Sequence, residues 1–290
     1  MCNYLPAPGG LVVLRNTRTT ILNSGTPEEK RAEISDYFHK TYSIDEQLYE
    51  TLTNDAAFYL RAEPLRHPLI FYLGHTAVFY INKLIVARII EERINPHFES
   101  MFAIGVDEMS WDDLSDKNYD WPTVAEVKAY RDQVRHRVND VIETLPLALP
   151  IDWDNPFWAL MMGIEHQRIH LETSSVIIRR MPIDQVQQLP LWDICSDTGD
   201  APHNQLLDVP GGEVRIGKSK DHPLYGWDNE YGRHSFKVED FSASKFLVSN
   251  HEYHEFVKAG GYQDETYWTE EGRRWLQFSK AKQPLFWIKD

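Results

Sequence analysis

The chain has 290 residues, 42% hydrophobic and 26% charged, the balance of a globular protein with apolar material for about two domains. Its formal net charge of −14 argues against nucleic acid or an anionic membrane as the main partner, because a polyanion needs a basic patch and the sequence holds none. Cys2 and Cys195 are the only cysteines, too few for a disulfide framework, and they point to a reducing, cytoplasmic setting.

Residues 1–17 read as a flexible leader, with no basic start and too short an apolar run for a signal peptide. A first helix is predicted from the capping box Thr26-Pro27-Glu28-Glu29, with Ile34, Phe38, Tyr42 and Leu48 on its apolar stripe. A second runs from about Pro68 to Glu91. Its uncharged core from His67 to Asn82 falls short of the ~20 residues of a membrane span, so a buried helix is expected. The connection from Ile94 to Trp121 is too long for a turn, and its aromatic content favours an ordered loop packed on the protein.

A third helix starts at the capping box Thr123 to Glu126 and carries valines to Leu145; a fourth opens at Asn155-Pro156 and stops before Pro182. Four helices with apolar stripes and no strand pattern between them predict a four-helix bundle over residues 18–182. After a linker at 183–203 the pattern changes. Leu206 to Gly217 reads as a hairpin around Pro210-Gly211-Gly212, His234 to Val238 alternates like a strand, and a short helix opens at Ser249 and ends at Gly260-Gly261. Residues 204–290 are therefore expected to begin a mixed α+β domain.

The chemistry-bearing pattern lies in the fourth helix, in Glu165-His166-Gln167-Arg168-Ile169-His170-Leu171-Glu172. Histidines four apart share a helix face and can grip one metal ion. His75, in the second helix, offers a third imidazole from a facing helix, as bundles commonly arrange. Twelve histidines in 290 residues supply roughly half of one such i, i+4 pair by chance, so spacing alone leaves two readings open: metal ligands, or core histidines bonded to neighbours. A zinc protease is disfavoured, since its H-E-x-x-H motif needs a glutamate where Gln167 stands. Glu172 falls on another face from the pair and reads as a supporting or salt-bridging group. Trp227, Asp228 and Asn229 are candidate substrate-binding residues, with a turn held by side-chain to backbone bonds as the competing reading.

Three separated motifs, Leu65 to Thr76, Gly105 to Leu114 and Gly163 to Ser175, closely resemble the ovothiol-pathway 5-histidylcysteine sulfoxide synthases, and the resemblance runs from about Arg18 to Asp290. It implies a DinB-like four-helix bundle followed by part of a formylglycine-generating-enzyme-like domain with a C-type-lectin-like fold. It also implies a non-haem Fe(II) held by His75, His166 and His170, with L-cysteine, L-histidine and O2 as substrates. Measured against that family the sequence stops inside the second domain, so the family's catalytic tyrosine and its methyltransferase domain are expected beyond Asp290 and turnover by this chain alone is in question. An ergothioneine-type synthase using trimethylated histidine and another sulfur donor, and a non-catalytic metal-binding relative, are the alternatives. A DinB-like thiol transferase is a further one, disfavoured by the strand-and-turn section.

Overall fold

The computed structural model describes residues 17–103, 120–189 and 199–288. Cys2 and Cys195, most of the leader, and the Gly105 to Leu114 motif lie outside them. The chain divides into two units, one of residues 1–194 with 218–232, the other of 195–217 with 233–290.

The first unit is built on four long helices, α1 (Pro27–Tyr49), α2 (Leu69–Val86), α4 (Val124–Thr144) and α5 (Phe157–Arg179), with a short α3 (Pro96–Met101) after α2. Thr26 and Thr123 both form the expected capping boxes, with Glu29 and Glu126 bonding back to the cap N–H, so two orphan donors are satisfied at each entry. The Asn155 side chain accepts from the Phe157 N–H at 3.0 Å and opens α5. α2 packs on α5, α4 and α3, and α1 on α5 and α4.

α2 ends at Val86, five residues short of the expected Glu91. Arg88 takes a left-handed conformation at φ 56°, and the Ile89 and Ile90 N–H groups turn back onto the Leu84 carbonyl. Ile90 is buried there, so burial of an isoleucine holds an arginine where glycine is usual. By length and composition α2 could cross a membrane, but it is mostly buried inside the bundle, as the buried-helix reading expected.

Polar groups cross the middle of this core. Arg131 of α4, wholly buried, donates to the Asp45 carboxylate of α1 at 2.9 Å, and to the Leu73 carbonyl and Thr76 hydroxyl of α2 at 2.7 and 2.8 Å. Gln167 of α5 donates to the same Asp45 oxygen at 3.0 Å and accepts from the Tyr80 hydroxyl at 2.9 Å. All four helices thus meet in one hydrogen-bonded network. Close backbone approach completes the α2–α5 contact: a Cβ on Gly163 would come within 2.4 Å of the Tyr80 ring.

The second unit contains β1 (Leu206–Val209), β2 (Gly212–Ile216), β3 (His234–Val238), β4 (Phe241–Ser244), α6 (Asn250–Lys258) and α7 (Glu270–Ser279). The expected β1–β2 hairpin is absent. β1 pairs antiparallel with β4 and β2 with β3, and the two ladders are in step, Val209 facing Phe241 and Gly212 facing Val238. They form one long ribbon interrupted at Pro210, which has no N–H to give, while the Gly211 N–H is taken by the Asp240 side chain at 2.7 Å. Pro-Gly-Gly is therefore a break in the ribbon, and the reversal comes after β2. The Ser249 capping box and the helix to Lys258 stand as read.

Arg131→Leu should strand the Asp45 carboxylate in the core and cost about 3–5 kcal/mol, read as a lowered urea midpoint. Among the described residues of the second unit only Gly261 is buried, whereas most of α2 is buried. Amide exchange should accordingly be slowest in α2 and α5 and fast in 233–288; equal protection in the two units would contradict this.

Candidate metal centre

His75 and Phe79 lie one turn apart on α2; His166 and His170 lie one turn apart on α5. Packing of these helices brings the three imidazoles together. One ring nitrogen from each lies within 4.8 Å of the others, and the Nε2 atoms of His166 and His170 are 3.1 Å apart. Ring centroids are separated by 5.0 Å for His75 and His166, 4.6 Å for His75 and His170, and 4.4 Å for His166 and His170. The convergence anticipated from spacing is present.

The surroundings fix each ring. A carbonyl can only accept, so the 2.6 Å contact from His75 Nδ1 to the Phe102 oxygen places the proton on Nδ1 and leaves Nε2 free as a ligand. Phe102 stands at the end of α3, and a Cβ on Gly74 would lie 2.6 Å from its ring, so the glycine before His75 is what lets that carbonyl come close. Phe71 stacks on His75 at 5.0 Å and Phe79 lies flat on His166 at 3.5 Å. The Nδ1 atoms of His166 and His170 are buried without a hydrogen-bond partner, and their Nε2 atoms face each other. Protein groups alone leave this pair of rings under-satisfied, which fits a site built around a cation.

Burial lowers the pKa of all three histidines, and mutual repulsion lowers two of them further. Desolvation is the largest cause throughout; the charges of His170, His75 and Lys83 add to it at His166, and those of His75 and Arg66 at His170, which falls to about 3. The rings are neutral near pH 7, the form that coordinates metal.

Gln167, between the two histidines, is fully buried and points into the network with Asp45 and Tyr80, so this position offers the ring pair no carboxylate base. Glu165 accepts from the Thr19 and Tyr37 hydroxyls at 2.8 and 2.9 Å and serves to tie α5 to α1. Glu172 is exposed and makes no ion pair among the described residues, contrary to its salt-bridging reading. Trp227, Asp228 and Asn229 have local partners: the Trp227 N–H donates to Glu230 at 2.6 Å and the Asn229 N–H to Asp228 at 2.9 Å. Those are the bonds of the turn reading. Phe79, the Phe102 carbonyl and the Arg131 network were not singled out from sequence; the i+4 step from His75 to Phe79 was the one available signal.

Stability of the metal-free chain should carry the mark of these rings. An unfolded histidine protonates near 6.5 and the buried ones resist, so the unfolded state binds more protons and stability falls as pH drops below about 6.5. For His170 the loss at pH 5 relative to pH 7 is about 2 kcal/mol. Urea unfolding of His170→Leu at both pH values should show the gap narrowed by about that amount.

Residues 37–174 match the DinB superfamily and residues 195–287 the sulfatase-modifying factor enzyme 1-like domain. The chain is 26% identical over 245 residues to hercynine oxygenase of Mycolicibacterium smegmatis, covering 82% of this chain and 53% of that protein. It is 26% identical to ergothioneine biosynthesis protein 1 of Neurospora crassa, over 67% of this chain and 24% of that protein, and 23% identical to the protein of that name in Schizosaccharomyces pombe, over 71% and 30%. The chain spans about half the length of the bacterial relative and less of the fungal ones. It therefore carries a DinB-like helical domain followed by a sulfatase-modifying-factor-like domain, and is similar to ergothioneine biosynthesis proteins and hercynine oxygenase.

Proposed function

We propose that this chain supplies the metal-binding part of a non-haem Fe(II) sulfoxide synthase that joins a thiol to an imidazole ring with O2. The three-histidine cluster between α2 and α5 carries this reading. The pairing of domains and the similarity to proteins named for ergothioneine biosynthesis and hercynine oxygenation support it. Within that class the substrates are L-cysteine and L-histidine and the product 5-histidylcysteine sulfoxide, on the strength of the sequence motifs that resemble the ovothiol-pathway enzymes. A reducing cytoplasm would keep such a thiol substrate available.

The donor set fits. His75, His166 and His170, neutral imidazoles with one ring nitrogen from each within 4.8 Å of the others, would hold the iron and would leave it positions for small molecules. Iron bound there would supply O2 activation and a docking point for the substrate thiolate.

The chain's own residues do the rest. Neutral histidines leave the substrate sulfur as the dominant anionic donor, and Phe71, Phe79 and Tyr72 wall the rings with apolar surface. The overall reaction balances on one O2. The imidazole C–H and the thiol S–H bonds break, a C–S bond and the sulfoxide S–O bond form, and the second oxygen leaves as water. The ergothioneine-type reading, with trimethylated histidine, is favoured by the names of the similar proteins.

Anaerobic loading with Fe(II) should give about one iron per chain, and His75→Ala, His166→Ala and His170→Ala should each lose it while remaining helical by circular dichroism. Iron content unchanged by all three substitutions would overturn the assignment. Product formed with trimethylated histidine but not with L-histidine would transfer the chain to the ergothioneine type.

A further inference from the structure

Side chains on a helix lean toward its N-terminus, so Tyr72, in the first turn of α2 and three residues before His75, reaches back toward the segment that leads into the helix. Its ring lies 5.8 Å from that of His170. Tyr72 is wholly buried, yet its hydroxyl forms no hydrogen bond among the described residues. A buried phenol ordinarily finds a partner, so this O–H is a spare donor against one of the candidate metal ligands.

Arg66 stands in the segment toward which Tyr72 reaches. Its N–H closes a turn on the Glu63 carbonyl at 3.1 Å, and the residue is exposed. The carboxylate nearest in sequence, that of Glu63, is paired with Arg180 at 2.7 Å, and Arg66 makes no ion pair among the described residues. Its charge is felt at both groups on this edge of the cluster. Burial raises the pKa of the Tyr72 hydroxyl and the Arg66 guanidinium, in loose contact with it, opposes the rise; at His170 burial, then His75, then Arg66 lower the pKa.

A guanidinium beside three neutral imidazoles that would collect a metal cation is a repulsive arrangement, because the ligands bring no negative charge to set against either. An anion placed between the two cations is attracted by both. The planar fork of an arginine and a phenolic O–H are donors suited to a carboxylate.

We infer that Arg66, with the Tyr72 hydroxyl, binds the α-carboxylate of an amino acid held at the three-histidine cluster. The inference rests on the proposed amino-acid chemistry of the site and adds the point at which that substrate is anchored. With the carboxylate fixed on the His170 side, the thiolate or ring of the same molecule is left to face the metal ligands, which is the orienting that a two-substrate reaction needs. L-cysteine and L-histidine both carry the group, and the trimethylated form of histidine keeps it.

The test is calorimetric binding to the anaerobic Fe(II)-treated chain of two ligand pairs, L-cysteine with cysteamine and L-histidine with histamine, the second of each pair lacking only the carboxylate, with iron content measured on each sample. In the unsubstituted chain the amino acid should bind more tightly than its decarboxylated partner in at least one pair. Arg66→Gln should weaken that amino acid at least about tenfold, leave its partner unchanged, and keep iron content and helicity; Tyr72→Phe should lose a smaller part of the same preference. The pair that responds identifies the anchored substrate. Unchanged affinity of Arg66→Gln for both amino acids would overturn the inference, as would an equal loss for an amino acid and its decarboxylated partner, or no preference for the carboxylate in the unsubstituted chain. A chain that takes up no iron yet shows a carboxylate preference abolished by Arg66→Gln would sink the metal assignment and leave the anchor standing, so the two failures are separable.

Discussion

The buried Arg131–Asp45 pair is the constraint on which the arrangement of this protein depends. Both side chains lie in a core that could not tolerate either alone, and the attraction between them is shared with Thr76 and Gln167, which sit directly beside His75 and His166 in sequence. A helix can slide or rotate against an apolar neighbour at modest cost, since hydrophobic contact has no preferred direction. It cannot do so against a charged, directional bond in low dielectric without exposing an unpaired ion. Thr76 and Gln167 therefore fix the registers of α2 and α5, and with them the meeting of the three imidazoles.

The same packing explains why neutral rings can be collected there. Three histidines within 4.8 Å would repel if protonated, and burial opposes protonation before repulsion acts. Gly74 and Gly163 let Phe102 and Tyr80 approach the helix backbones, so the Phe102 carbonyl can set the His75 tautomer and the Tyr80 hydroxyl can reach Gln167. Two glycines thus serve the site through the neighbours they admit.

Gln167 has a place in the fold that its place in a motif does not disclose. As a letter in a motif, it disfavours protease chemistry by not being glutamate. In the fold it is wholly buried and bonded to α1 and α2, so the position is structural and the histidines on either side are what it orients. Glu172 illustrates the converse: a carboxylate near two histidines in sequence proves to face solvent, because two residues along a helix is a turn of some 200°.

Local sequence determined much of this protein by itself. Capping boxes at Thr26, Thr123 and Ser249 and the 3.6-residue apolar rhythm were enough to place α1, α4, α5 and α6 and the start of α2, since those signals act over one or two turns, whereas α3 and α7 were not read from sequence. The i, i+4 spacing likewise put His166 and His170 on one face. Tertiary structure decided the rest, because it depends on partners distant in the chain: the end of α2 at Val86, set by burial of Ile90; the pairing of β1 with β4, set by the missing N–H of Pro210 and a carboxylate 29 residues from Gly211; and the approach of His75 to the pair on α5. No local rule gives the rotation of one helix about another. That rotation comes from Arg131 reaching α1 and α2 at once, with Gln167 of α5 joined to them through Asp45, and it is what turns three separate histidines into one site.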